Sequence, residues 1–246
     1  MKAAGDVGEV RRWVQEAGRI VVLTGAGMSA ESGVPTFRDA QTGLWARFDP
    51  MQLATEKAFR GEPSRVWQWY EYRRQLIAQA IPNAGHEALA AFAQRHPGRL
   101  TLVTQNVDGL HQRAGSTGVL ALHGNIHENK WLEVPRPCCN ADAAAAGCPP
   151  YCDVCGNLLR PAVVWFGEAL PLAALDAAQV AARDCDLMLV VGTSGVVYPA
   201  AGLARETTGR VVIVNPQPTD LDDAAHAVLR GTAAAVLPQL LQDSGS

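Results

Sequence analysis

The chain has 246 residues, 48% of them hydrophobic, enough to bury a substantial core and too many for a low-complexity disordered chain. A formal net charge of −3 at pH 7 gives no whole-molecule attraction to nucleic acid. No run approaches the roughly 18 uninterrupted apolar residues of a membrane-spanning helix, and the charged first twenty residues lack a signal-peptide core. The expectation is a cytoplasmic monomer that engages neither nucleic acid nor membrane.

In chain order, residues 5–18 alternate charged and apolar positions at helical spacing, and Gly18 follows as a stop. The β-branched run from Arg19 to Thr24 then leads into Gly25-Ala26-Gly27, a buried strand feeding a glycine turn. Similar runs recur at 100–104, 186–191 and 210–214, each beside a helical stretch. Strands buried on both faces and alternating with helices imply an α/β, Rossmann-like, doubly wound parallel sheet.

Two segments interrupt that alternation. Residues 40–95 are helical and aromatic-rich, with Trp45, Phe48, Phe59, Trp67, Trp69, Tyr70 and Tyr72. Residues 127–160 hold five of the six cysteines, several prolines and an alanine run. Together they predict a smaller, helical plus zinc-ribbon-like module (40–95 and 127–160). The remainder (1–39, 96–126 and 161–246) forms the sheet part of a single catalytic domain. A ligand crevice is expected where the modules meet, at the carboxyl ends of the strands. Clustered cysteines read as a metal knuckle in a reducing compartment rather than as a disulfide framework.

The turn Gly25-Ala26-Gly27-Met28-Ser29-Ala30-Glu31-Ser32-Gly33 lets backbone N–H groups approach a pyrophosphate. It is neither the standard dinucleotide fingerprint nor an ATPase phosphate loop, and alone it is equally a tight strand-to-helix turn. It continues into Val34-Pro35-Thr36-Phe37-Arg38-Asp39. Further on come Thr104-Gln105-Asn106-Val107-Asp108-Gly109-Leu110-His111 and His123-Gly124-Asn125. Later still stand Arg160-Pro161, Val164-Trp165-Phe166-Gly167-Glu168, Gly192-Thr193-Ser194 and Asn215.

In that order, over residues 8 to 240, these motifs resemble the sirtuin (Sir2) family. The resemblance implies an NAD-dependent protein-lysine deacylase acting on acylated-lysine proteins or peptides. His123 would be the general base, a role suited to a group that titrates near neutrality, with Asn106 and Asp108 as its catalytic companions. NAD would be held by Gly25, Ala26, Gly27, Ser29, Ala30, Glu31, Thr36, Phe37, Arg38 and Trp45, and by Gln105, Asn106, Val107, Asp108 and His123. Gly192, Thr193, Ser194, Asn215, Gln217 and Ala233 would line its adenosine half. The implied chemistry is attack of the acyl-lysine carbonyl oxygen on the ribose C1′ with loss of nicotinamide. His123 then deprotonates a ribose hydroxyl that captures the acyl carbon, and hydrolysis by one water leaves O-acyl-ADP-ribose and free lysine.

Tyr70 and Arg73 are three apart on a predicted helix and therefore neighbours on one face. An arginine fork beside a phenol hydroxyl suits a terminal carboxylate. The pair resembles the Tyr-x-x-Arg of class III sirtuins, which implies removal of succinyl and malonyl groups, with acetyl also accepted. Ala54 matches their small pocket residue, and Val164 and Phe166 are expected to line the peptide groove. The family's structural zinc uses two Cys-x-x-Cys-like pairs. Cys152 and Cys155 fit the second. The first is atypical, since Trp131 stands where a cysteine often does and Cys138-Cys139 are adjacent. The expected set is Cys139, Cys148, Cys152 and Cys155, with loss of the zinc as the other possibility. Rival readings are an NAD-dependent mono-ADP-ribosyltransferase, a classical dehydrogenase and a non-enzymatic zinc-ribbon/Rossmann binding module.

Overall fold

Apolar runs too short for helices and buried on both sides build the centre of the molecule as strands. A computed structural model describes residues 5–35 and 49–243. The elements run α1 (Val7–Glu16), β1 (Ile20–Thr24), α2 (Pro50–Leu53), α3 (Glu56–Gly61), α4 (Pro63–Gln79), α5 (Ala84–Arg95), β2 (Leu100–Thr104), α6 (Leu110–Arg113) and β3 (Leu120–Ala121). They continue with β4 (Gly124–Trp131), β5 (Leu159–Val163), α7 (Leu172–Asp184), β6 (Leu187–Val191), α8 (Leu203–Glu206), β7 (Arg210–Val214), β8 (Ala227–Leu229) and α9 (Ala233–Leu240). Asp6 caps α1 by accepting the Gly8 N–H at 3.0 Å, and Asn83 with His86 forms a reciprocal capping box on α5.

Six strands form one parallel sheet in the order β3-β2-β1-β6-β7-β8. Along β1 successive side chains serve opposite cores. Ile20 and Val22 pack with Val10, Leu89, Phe92 and Leu237 from α1, α5 and α9. Val21 and Leu23 pack with Ala178, Ala182 and Leu203 from α7 and α8. Each fully buried Val, Leu or Ile contributes about 1.5–3 kcal/mol. Thr24 is level with both Thr104 and Val191, and Val191 with Val214. The loops leaving these strands therefore share one rim. Connections run outward in opposite directions from β1 and β6, so a switch point lies between them.

The smaller module pairs α3 and α4 with an antiparallel ribbon, β4–β5, in which Gly124 faces Val163 and Trp131 faces Leu159. Phe59, Val66, Trp69, Tyr70 and Ile77 pack there against Ile126, Val163 and Trp165. Val34 and Val107, from loops at the sheet rim, lean on the same core. The ribbon runs through both expected boundaries, at 126/127 and 160/161.

Three strands escaped the sequence reading: β4, β5 and β8. The edge strand β8 is three residues long. The ribbon strand Gly-Asn-Ile-His-Glu-Asn-Lys-Trp buries only Ile126 fully and so lacks alternation. Among the described residues, no helix is long and apolar enough to cross a membrane.

Candidate active site and metal knuckle

Loops from β1, β2, β3, β6 and β7 bring most of the expected residues to one rim. The glycines of the first loop answer a packing demand. The Gly27 N–H donates to the Gly192 carbonyl at 2.8 Å, and the Gly25 N–H to that of Val191 at 3.0 Å. A Cβ on Gly27 would sit 2.8 Å from the Gly192 Cα, and one on Gly25 2.7 Å from the Thr193 Cβ. Bare backbone is what allows the loops after β1 and β6 to meet across the switch point.

Ser29 is buried beside them and organises the residues after β2. Its hydroxyl donates to Asp108 Oδ2 at 2.7 Å, while Asp108 Oδ1 accepts the Leu110 N–H at 2.9 Å. The Asn106 amide donates to the Gly25 carbonyl at 3.0 Å and to Ser29 Oγ at 3.2 Å. Both amide hydrogens are then engaged, and the amide oxygen is left as an acceptor. The alternating pair Asn106 and Asp108 thus converges on one serine, with Val107 between them packed toward the smaller module.

His123 follows β3 and is half-buried. Its Nδ1 lies 2.9 Å from the Gln105 carbonyl, which only accepts, so Nδ1 carries the hydrogen and Nε2 the lone pair. Burial holds the imidazole pKa below its ordinary 6.5, the carbonyl opposing this in part. The His123 carbonyl accepts the Val164 N–H at 2.9 Å. Gly124 has φ +78°, and a Cβ there would lie 2.1 Å from the Ala162 carbonyl oxygen. Only glycine lets the ribbon start directly beneath the imidazole.

Farther along the rim, Gln105 Nε2 donates to Thr193 Oγ1 at 3.2 Å and Asn215 Nδ2 to the Thr193 carbonyl at 3.0 Å. Asn215 Oδ1 accepts the Gln217 N–H at 3.2 Å, and the Ser194 carbonyl accepts the Asp220 N–H at 3.1 Å. Ala26 and Ala30 open the two short turns that carry Met28 and Glu31. The Glu31 carboxylate accepts the Ala234 N–H at the start of α9, and Ala233 is buried next to Gly85. Thr36, Phe37, Arg38 and Trp45 lie outside the described residues.

Sequence reasoning assigned no role to a buried histidine pair under this rim. His86 Nε2 is 3.4 Å from Ser29 Oγ, His111 Nε2 is 3.0 Å from Thr24 Oγ1, and the rings are 4.8 Å apart. Burial lowers their pKa values to about 4 and about 3. The available signal for His86 was its place in the Asn-x-x-His cap.

On α4, Tyr70 and Arg73 do share a face. Tyr70 is buried, and its pKa is pushed up to about 12, chiefly by burial, with the Arg73 charge pulling the other way. Burial also lowers the Arg73 pKa, and its guanidinium lies over Trp69, 4.9 Å from the ring centroid. The Tyr70 hydroxyl accepts the Trp165 indole N–H at 2.9 Å. Ala54 is buried in the same core, and its carbonyl accepts the N–H of Phe166, whose side chain is exposed. Val164 is half-buried.

The expected metal set is corrected at one position. The thiols of Cys138, Cys139, Cys152 and Cys155 lie within 4.8 Å of one another, and Cys148 is not among them. Cys148 is exposed and held against α4, its sulfur 3.7 Å from Gln68 Nε2. Adjacent cysteines suffice because Arg136–Cys139 is a tight turn closed by the Cys139 N–H on the Arg136 carbonyl at 2.8 Å. In extended chain neighbouring side chains diverge to opposite faces; in this turn they converge. Cys139 and Cys155 are 3.6 Å apart, near the ~3.8 Å edge of a tetrahedron with ~2.3 Å zinc–sulfur bonds. The donor set fits zinc, and four thiolates leave no position for a substrate.

Comparison with known proteins agrees with this geometry. Residues 25–199 match the Sir2 family model. An NAD-dependent protein deacylase of Ralstonia nicotianae is 56% identical over 238 residues, covering 95% of each chain. The crystal structure of a Sir2 homologue in complex with NAD superposes with a TM-score of 0.87 at 41% identity, covering 98% of this chain and 94% of that one. A Sir2 structure with p53 peptide and NAD⁺ gives a TM-score of 0.82 at 32% identity, covering 96% and 98%.

Proposed function

The chain belongs to the Sir2 family, and on that footing we propose that it is an NAD-dependent protein-lysine deacylase that removes succinyl and malonyl groups, and acetyl groups as well. The observation that carries the reading is the anchoring of His123: Nδ1–H is spent on the Gln105 carbonyl, so the free nitrogen is the basic one. NAD, when bound, supplies an activated ribose carbon and the hydroxyls that receive the acyl group. His123 Nε2 takes the proton from a ribose hydroxyl, and its lowered pKa keeps it unprotonated at neutral pH. Ser29, Asn106 and Asp108 form a pre-ordered polar wall, so little reorganisation is needed when substrate enters. The glycine turn after β1 and the polar residues Thr193, Ser194 and Asn215 fit the two halves of a dinucleotide laid along the rim.

The acidic-acyl preference rests on Tyr70 and Arg73. A guanidinium and a phenol hydroxyl side by side on one face of α4 suit a terminal carboxylate, which can accept hydrogen bonds from both. Arg73→Met separates this from a packing role. Desuccinylation kcat/KM is expected to fall at least about a hundredfold, and deacetylation by far less. Equal losses on the two peptides would remove the assignment.

A further inference from the structure

Trp165 packs behind Tyr70, and its contacts are more specific than core filling requires. Its indole N–H donates to the Tyr70 hydroxyl at 2.9 Å, in a buried setting. The Arg160 guanidinium lies over the ring, 3.2 Å from the centroid, and Phe59 packs at 5.2 Å. Glu168 pairs with Arg160 and also accepts the Trp165 backbone N–H at 2.9 Å. One carboxylate therefore fixes both the backbone of Trp165 and the cation lying on its ring.

A phenol hydroxyl has one hydrogen to give and lone pairs to receive, whereas an indole N–H only gives. The indole therefore claims a lone pair on Tyr70 and commits the phenol hydrogen to some other acceptor. We propose that Trp165 is a positioning residue for acidic acyl-lysine, keeping the Tyr70 hydroxyl as a hydrogen-bond donor to the acyl carboxylate. Glu168 and Arg160 act one step further back, by holding the indole in place. The inference rests on the acidic-acyl reading above and deepens it.

The test compares kcat and KM on succinyl- and acetyl-lysine peptides for the wild type, Trp165→Phe, Tyr70→Phe and the double variant. Trp165→Phe is expected to lower the succinyl-to-acetyl ratio of kcat/KM about tenfold, chiefly through the succinyl KM. In the Tyr70→Phe background it is expected to leave that ratio where Tyr70→Phe alone put it. Equal losses on both peptides, or a ratio that drops further in the double variant, would overturn the proposal while leaving the acidic preference intact. A wild-type chain inert on succinyl peptide overturns both, and is seen before any variant is made. Should Trp165→Phe not fold, β-(3-benzothienyl)alanine at position 165 keeps the ring shape and lacks only the N–H. It is expected to shift the ratio in the same way, and an unchanged ratio would contradict the proposal.

Discussion

Burial and hydrogen bonding act on His123 in ways that bear on different atoms. The Gln105 carbonyl fixes which nitrogen carries the hydrogen, while burial penalises the imidazolium. Because the folded pKa lies below 6.5, the neutral ring persists to lower pH, and rate is lost only as pH falls through that folded value. The kcat/KM profile is expected to be level from pH 7 to 8, with an acid limb centred below 6.5; a limb centred above 7 would contradict the account. His123 was legible in sequence because a distinctive motif surrounds it. The reason for its neighbour was not, since the carbonyl of Ala162 that excludes any Cβ at Gly124 lies 38 positions away in the chain. Nothing in the sequence signalled that Glu31 would accept the Ala234 N–H at the start of α9 or that Ala233 would be buried.

Among the elements, the metal knuckle was only half readable. Cys152-x-x-Cys155 is a spacing that closes on one ion by itself. Cys138-Cys139 depends on the Arg136–Cys139 turn, and the exclusion of Cys148 depends on α4, neither of which spacing reports. Elemental analysis of purified protein is expected to find about one zinc per chain, retained by Cys148→Ser and largely lost in Cys138→Ser. Zinc loss in Cys148→Ser with retention in Cys138→Ser would reverse the assignment. The placing of Tyr70 and Arg73 on α4 was read more fully, because two residues three apart share a face in any α-helix. What periodicity could not give was Trp165, which reaches Tyr70 from 95 residues away.

At the scale of the molecule, the four longer sheet strands were visible because their residues are buried on both faces, while the short edge β8 and the polar ribbon carry too little pattern. The same burial imposes a pH limit. His86 and His111 titrate near 4 and 3 in the folded chain and at about 6.5 when unfolded. The unfolded chain therefore binds protons first, and stability present above pH 6.5 is lost as pH falls below it. Two such groups cost about 2–3 kcal/mol between pH 7.5 and 5.5. Urea unfolding at the two pH values measures this, and a loss well under 1 kcal/mol would mean that the pair is not buried as described.

Mass spectrometry of a succinyl-lysine peptide incubated with the purified chain is the decisive measurement of NAD-dependent deacylation through His123. Free lysine and nicotinamide are expected in equal amounts, with O-succinyl-ADP-ribose as co-product, no turnover without NAD⁺, and none by His123→Tyr. Nicotinamide release with the succinyl group still on the peptide, or undiminished turnover by His123→Tyr, would contradict that reading.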